Sequence, residues 1–101
     1  MMTLQEFKLE VARCAKDVGV EPKEIHVRQM KRKLASCSSR GRLTFDASLL
    51  MEQTEPRLRA ILHELLHLRF PNHGKMFRSL LNAHLQKQLD AYRRGGQRPG
   101  M

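Results

Sequence analysis

The sequence predicts an α+β domain with a helix at its start, short strands after it, and two closing helices. Three observations predict it. Apolar residues recur at helical spacing over Leu4 to Val18, again around Leu58 to Leu68, and again from Phe77 to Leu89. Two stretches between the first and second helix instead have strand character, one through Ile25 and Val27, the other at Arg42 to Phe45. A length of 101 residues allows one compact domain with a modest core and little more.

The first helix is signalled by Thr3 followed by Glu6, a capping-box pattern. Leu4, Phe7, Val11, Cys14, Ala15 and Val18 supply its apolar face, and Gly19 its stop. After a turn through Pro22, Ile25, Val27 and Gln29 alternate with His26, Arg28 and Met30, a period of two that suits a strand. Ser36 to Gly41 is rich in turn formers, and Arg42-Leu43-Thr44-Phe45 reads as the second strand. The expected arrangement is an antiparallel β-hairpin of these two strands, extended by a loop around Cys37. Its exposed edge at Arg42 to Phe45 is the expected place for an added strand. Asp46 and Ser48 are placed to cap a short helical turn over Leu49 to Glu52. A stronger helix start follows at Thr54, with Glu55 and Pro56 in the first turn, where both are favoured. That helix runs to about Arg69 and is broken by Pro71-Asn72. The last helix runs from about Gly74 to Tyr92, with Phe77, Leu81, Leu85 and Leu89 every fourth residue. Residues 1–92 are read as a single domain, and 93–101 as a basic, Gly-rich, disordered tail.

Hydrophobic residues make up 41% and charged residues 29% of the chain, a soluble globular balance. No apolar run approaches the roughly 20 residues needed to cross a bilayer. The first ten residues already carry Glu6 and Glu10, so no signal peptide is read and a cytoplasmic location is expected. A single cysteine pair, Cys14 and Cys37, argues against a disulfide framework. Cys14 falls on the apolar side of the first helix; Cys37 sits in a Ser-Cys-Ser turn.

The net charge is +9. No acidic residue lies between Glu24 and Asp46, while Arg28, Lys31, Arg32, Lys33, Arg40 and Arg42 are all basic. Such a field attracts polyanions, so a nucleic-acid partner bound through a basic hairpin is one expectation. A solvated basic face is the other, and no aromatic residues interleave to make a stacking platform.

The residues that carry chemistry are His63-Glu64-Leu65-Leu66-His67, an H-E-x-x-H pattern on a helix. Residues four apart lie one turn above each other, so both imidazoles point the same way. Ala60, His63, Glu64 and His67 fill one stripe, while Leu58, Ile61, Leu62, Leu65, Leu66 and Leu68 fill the wider opposite face. A helix burying its leucines presents two metal ligands and a carboxylate together. A catalytic zinc needs a third protein ligand and an open fourth position. The only acidic side chain after Glu64 is Asp90, which leaves His73, His84 or Asp90. His73 is favoured, because it follows the Pro71-Asn72 break six residues after His67. His84 reads as a core-edge histidine and His26 as a surface one. One Zn2+ per chain would acidify a water and polarise a carbonyl, with Glu64 as general base.

From Arg28 to about Leu85 the chain resembles the YgjP-like metallopeptidases, which are related in their zinc motif to the SprT and Spartan proteases. The pieces that carry the resemblance are Ser36-Cys37-Ser38, Leu43 to Leu50, His63 to Leu68, Asn72-His73 and Phe77. The family's Trp-Gly pair is Leu34-Ala35 here, and the Trp that follows its motif Phe is Arg78. The resemblance implies a small zincin-like fold, His63, His67 and His73 as ligands, Glu64 as the catalytic residue, and protein or peptide substrates. It also suggests action near nucleic acid. The competing reading is a nucleic-acid- or protein-binding module with a structural zinc, whose shell Cys37, His84 or Asp90 would complete.

Overall fold

A computed structural model describes residues 1–94. The chain runs α1 (Leu4–Val18), β1 (Glu24–Arg28), β2 (Ala35–Cys37), β3 (Arg42–Asp46), a 3-10 turn (Ala47–Met51), α2 (Thr54–His67) and α3 (Lys75–Arg93). The α+β class is as the sequence predicts. Among the described residues, no helix is long and apolar enough to cross a membrane.

Helix α1 is held at both ends as its sequence dictates. The Thr3 hydroxyl accepts the Glu6 N–H at 3.1 Å, and the Glu6 carboxylate accepts the Thr3 N–H at 2.8 Å. Gly19 takes the left-handed conformation at φ 85° and donates its N–H to the Ala15 carbonyl. The buried face comprises Phe7, Val11, Cys14, Ala15 and Val18, together with Glu10. Cys14 is thus core, and its thiol is pushed up to about 12, first by burial and then by the charge of Glu10.

The sheet departs from the expected antiparallel hairpin. Strand β1 pairs with β3 in parallel, Ile25 opposite Leu43 and Val27 opposite Phe45. A third strand, β2, lies antiparallel on the other side of β3, giving the order β1-β3-β2. The reason lies in the turn formers. Only Ser38 to Gly41 make the turn: the Ser38 N–H donates to the Arg42 carbonyl at 2.9 Å, and Gly41 turns the chain at φ 90°. The Ser38 hydroxyl accepts the N–H groups of Arg40 and Arg42. This four-residue loop frees Ala35 to Cys37 to pair with β3. Strand β3 is therefore central and has no free edge, and Arg42 to Phe45 cannot accept an added strand. The outer edge beside the helices belongs to β2.

The remaining boundaries lie close to expectation. The Asp46 carboxylate accepts the Ser48 N–H at 3.0 Å and also the Met30 N–H at 2.7 Å, so it caps the 3-10 turn and ties down the chain leaving β1. Helix α2 ends at His67, two residues before the predicted limit. Arg93 is the last residue of α3 and Arg94 its cap, so these two belong to the helix and not to the expected tail, whose other residues, 95–101, lie outside the described residues.

The core sits where α2 packs on the sheet and on both other helices. Phe7 and Phe45 meet edge to face at 5.2 Å between centroids. Leu43, Leu49, Leu58, Ile61, Leu62 and Leu65 are fully buried around them. Each such side chain contributes about 1.5–3 kcal/mol of burial. One polar cluster crosses this core. Arg57 of α2 donates to Glu10 of α1 at 2.6 and 3.2 Å and to the Tyr92 hydroxyl of α3 at 3.2 Å. The Tyr92 hydroxyl in turn donates to Glu10.

Candidate metal centre

Local helix geometry brings the first two histidines together. His63 and His67 stand one turn apart on α2, with ring centroids 4.7 Å apart. Their orientation follows from burial of Leu58, Ile61, Leu62, Leu65 and Leu66 on the opposite face.

Past His67 the chain tightens. The Leu68 and Phe70 N–H groups return to the carbonyls of Leu65 and Leu66. Pro71 and Asn72 then reverse the direction, and His73 comes back over the end of α2. Its Nε2 lies 2.8 Å from Nε2 of His67. One donor atom from each of His63, His67 and His73 lies within 4.8 Å of the other two.

These donors fit a zinc-sized ion. Zn–N bonds of about 2.0–2.1 Å in a tetrahedral shell place ligand nitrogens roughly 3.4 Å apart, a separation the cluster spans. Burial, and then the neighbouring His63, hold His67 below its ordinary range, so its neutral lone pair is available at neutral pH.

Phe77, in the first turn of α3, touches all three rings. Its centroid lies 5.4 Å from His63 and 4.9 Å from both His67 and His73. It is almost fully buried. In the sequence Phe77 is legible as part of an apolar stripe; its position beneath three imidazoles is not.

Glu64 is largely buried beside this cluster, its carboxylate 2.9 Å from Nδ1 of His63. It lines an open cleft together with His63, Ala60 and Ala35. Glu64 stands outside the three converging donors.

The other candidate ligands are engaged elsewhere. His84 of α3 meets Asp17 of α1 at 2.8 Å. Asp90 accepts from Gln86 and Arg93. Cys37 lies near Glu64 but outside the converging donors; burial first, and then the Glu64 charge, hold its thiol above its ordinary range. His26 is at the surface against Glu24. Tyr92 is occupied in the Glu10 and Arg57 cluster.

The basic residues do not form one hairpin face. In the parallel register Arg28 lies opposite Asp46 and Arg42 opposite Glu24, at the two ends of the β1–β3 pair. Four residues of strand separate those ends by roughly 13 Å. Arg28 with Lys31, Arg32 and Lys33 belongs to one end, and Arg40 with Arg42 to the other. All six are exposed, and Arg42 is paired with Glu24 at 3.2 Å. The parallel pairing is what separates them.

Comparison with known proteins bears on this arrangement. No curated protein sequence matches the chain. The crystal structure of the metallopeptidase zymogen of Pyrococcus abyssi abylysin is similar in fold, with a TM-score of 0.67 at 20% identity. The similarity covers 91% of this chain and 96% of that one. The family model for the YgjP-like metallopeptidase domain matches residues 2–94. Nearly the whole described chain falls within that match, and the chain belongs to the YgjP-like metallopeptidase family.

Proposed function

We propose that the chain is a zinc-dependent peptidase in which His63, His67 and His73 hold the metal and Glu64 is the general base. One observation carries this reading: three imidazole donors converge beside a carboxylate that stays outside the trio and faces a cleft. Bound there, zinc would supply an acidified water and polarise the substrate carbonyl. Glu64 is the residue that would accept the attacking water's proton and pass it to the leaving amine. Its burial and its contact with His63 support this role by restraining the carboxylate beside the three histidines. The free edge of β2, at Ala35 to Cys37, is suited to hold the substrate main chain as an added strand. Residues 1–92 act as one unit in this scheme.

Glu64→Gln tests the assignment. The amide keeps the shape of the side chain but removes the base, so peptide cleavage falls by about 100-fold or more, with zinc retained near one equivalent per chain. Equal cleavage by the two proteins rejects Glu64 as base.

A nucleic-acid contact is a secondary part of this proposal. It is restricted to the end of the sheet that carries Arg28, Lys31, Arg32 and Lys33, where four cations outnumber the single carboxylate of Asp46 and favour a polyanion.

A further inference from the structure

We infer that the cleft beside Glu64 selects peptides with a medium-sized apolar side chain and an acidic residue two positions away. This deepens the peptidase reading and rests on it. The cleft has a volume of about 710 Å³, within the range of roughly 300–1,000 Å³ in which proteins hold small ligands. Its floor is apolar. Pro56 and Ala60 come from α2, Leu34 and Ala35 from the entry to β2, and Leu81 from α3. His63 and Glu64 line the same cleft. Ala60 precedes them by three and four residues, so its Cβ lies one helical turn, about 5–6 Å, from theirs. A side chain seated over Ala60 therefore belongs to a residue at or next to the scissile bond.

The small size of Ala60 and Ala35 leaves the space, and Leu34 keeps the wall apolar. Leu34 is 48% exposed, so a seated leucine or methionine would cover it and gain burial on both surfaces. The mouth is cationic. Lys33 and Arg59 flank it together with Glu55. Arg59 is paired to Glu55 at 3.3 Å, while Lys33 has no ion pair among the described residues. The surplus charge at the mouth is thus positive, and Lys31 and Arg32 extend it along the chain. A peptide added to the edge of β2 presents alternate side chains on one face. An apolar residue in the cleft then brings the side chain two positions along to the mouth, where a carboxylate meets Lys33.

The test measures binding separately from turnover. Zinc-loaded Glu64→Gln protein is titrated with fluorescein-labelled alanine-based octapeptides, followed by anisotropy. One peptide carries Leu and Glu two positions apart, a second replaces Leu by Ser, and a third replaces Glu by Lys. The first binds about tenfold tighter than the second, the partial return on burying a leucine in an open cleft. It binds a few-fold tighter than the third, a difference that shrinks as salt shortens the reach of Lys33. Lys33→Glu reverses the order of the first and third peptides. Ala60→Phe fills the cleft and removes the advantage of Leu; Leu34→Ser, on an exposed wall, weakens the same advantage if Ala60→Phe does not fold. Equal binding of all three peptides, absence of binding, or an order unmoved by these substitutions overturns the inference. Cleavage by the wild type without preference leaves the peptidase standing and removes the selectivity. Ordered binding without cleavage does the reverse.

Discussion

An apolar ring lies in contact with three imidazoles, and that placement gives Phe77 a consequence beyond packing. Its centroid is within 5.4 Å of each histidine ring, so it limits the rotations that would let the donors diverge. Groups that fix metal ligands from behind typically contribute 10–100-fold in metal affinity. Phe77→Leu, which keeps the site apolar, is expected to weaken zinc binding by about tenfold while the helical circular dichroism stays unchanged. Competition with a chromogenic chelator measures it, and an unaltered zinc affinity in a folded variant removes the positioning role. At this scale the sequence was informative where the relation was local. His63 and His67 share a face because they are four apart on one helix. His73 was readable only as the favoured third donor, since its return depends on the turn through Pro71 and Asn72.

Between elements, two polar contacts hold the three helices together. Glu10, Arg57 and Tyr92 join α1, α2 and α3 in a nearly dry cluster, with Glu10 1% and Arg57 6% exposed. Arg57→Met removes the nearer of two cations at the buried Glu10 carboxylate and leaves only Arg13, 3.5 Å away and partly exposed, and losses of this kind cost up to about 3–5 kcal/mol. Denaturant unfolding measures this. The double variant Arg57→Met with Glu10→Leu is expected to recover much of the loss, because the buried carboxylate goes with its partner while the partly exposed Arg13 keeps its bond to Gln88. At the far end of the same helices, Asp17 accepts from His84 and Lys87. Partial burial pushes the Asp17 carboxyl up, but the hydrogen bonds from Lys87 and His84 outweigh it and hold the group below its ordinary value. A carboxyl depressed in the folded state contributes stability that is complete above its unfolded value, about 3.9. That stability is lost as pH falls through the lower folded value. Asp17→Asn should therefore flatten the stability profile below about pH 4. Thermal melts across that window check it, and an unchanged slope contradicts the clasp. The sequence marked the helices that carry these groups but not their partners, because Glu10 and Arg57 are 47 residues apart and Tyr92 lies further still.

Across the whole molecule, a net charge of +9 gives a field whose reach depends on salt. The strand order decides its shape, setting Arg28 and Lys31 to Lys33 apart from Arg40 and Arg42. If nucleic acid docks at the first group, raising salt from 50 to 200 mM should weaken binding steeply. Charge reversal at Lys31 and Arg32 should lower the salt slope by about two. Reversal at Arg40 should leave that slope nearly unchanged. Binding that ignores salt, or that is absent at 50 mM, excludes the contact.

The sequence by itself determined the helices, the caps of α1, the buried faces and the pairing of His63 with His67, because each arises within a few residues along the chain. Spacing of 3.6, a capping box and a glycine stop act locally, whatever the rest of the chain does. Tertiary structure alone decided that β1 runs parallel to β3, that β2 rather than β3 offers an edge, and that the basic residues divide into two groups. It alone also set Phe77 against three histidines and Tyr92 against Glu10. The physical reason is the same for all of these. An alternating pattern specifies which face of a strand is buried, but not which neighbour supplies its hydrogen bonds. That choice rests on contacts distant in sequence, such as Glu24 to Arg28 meeting Arg42 to Asp46.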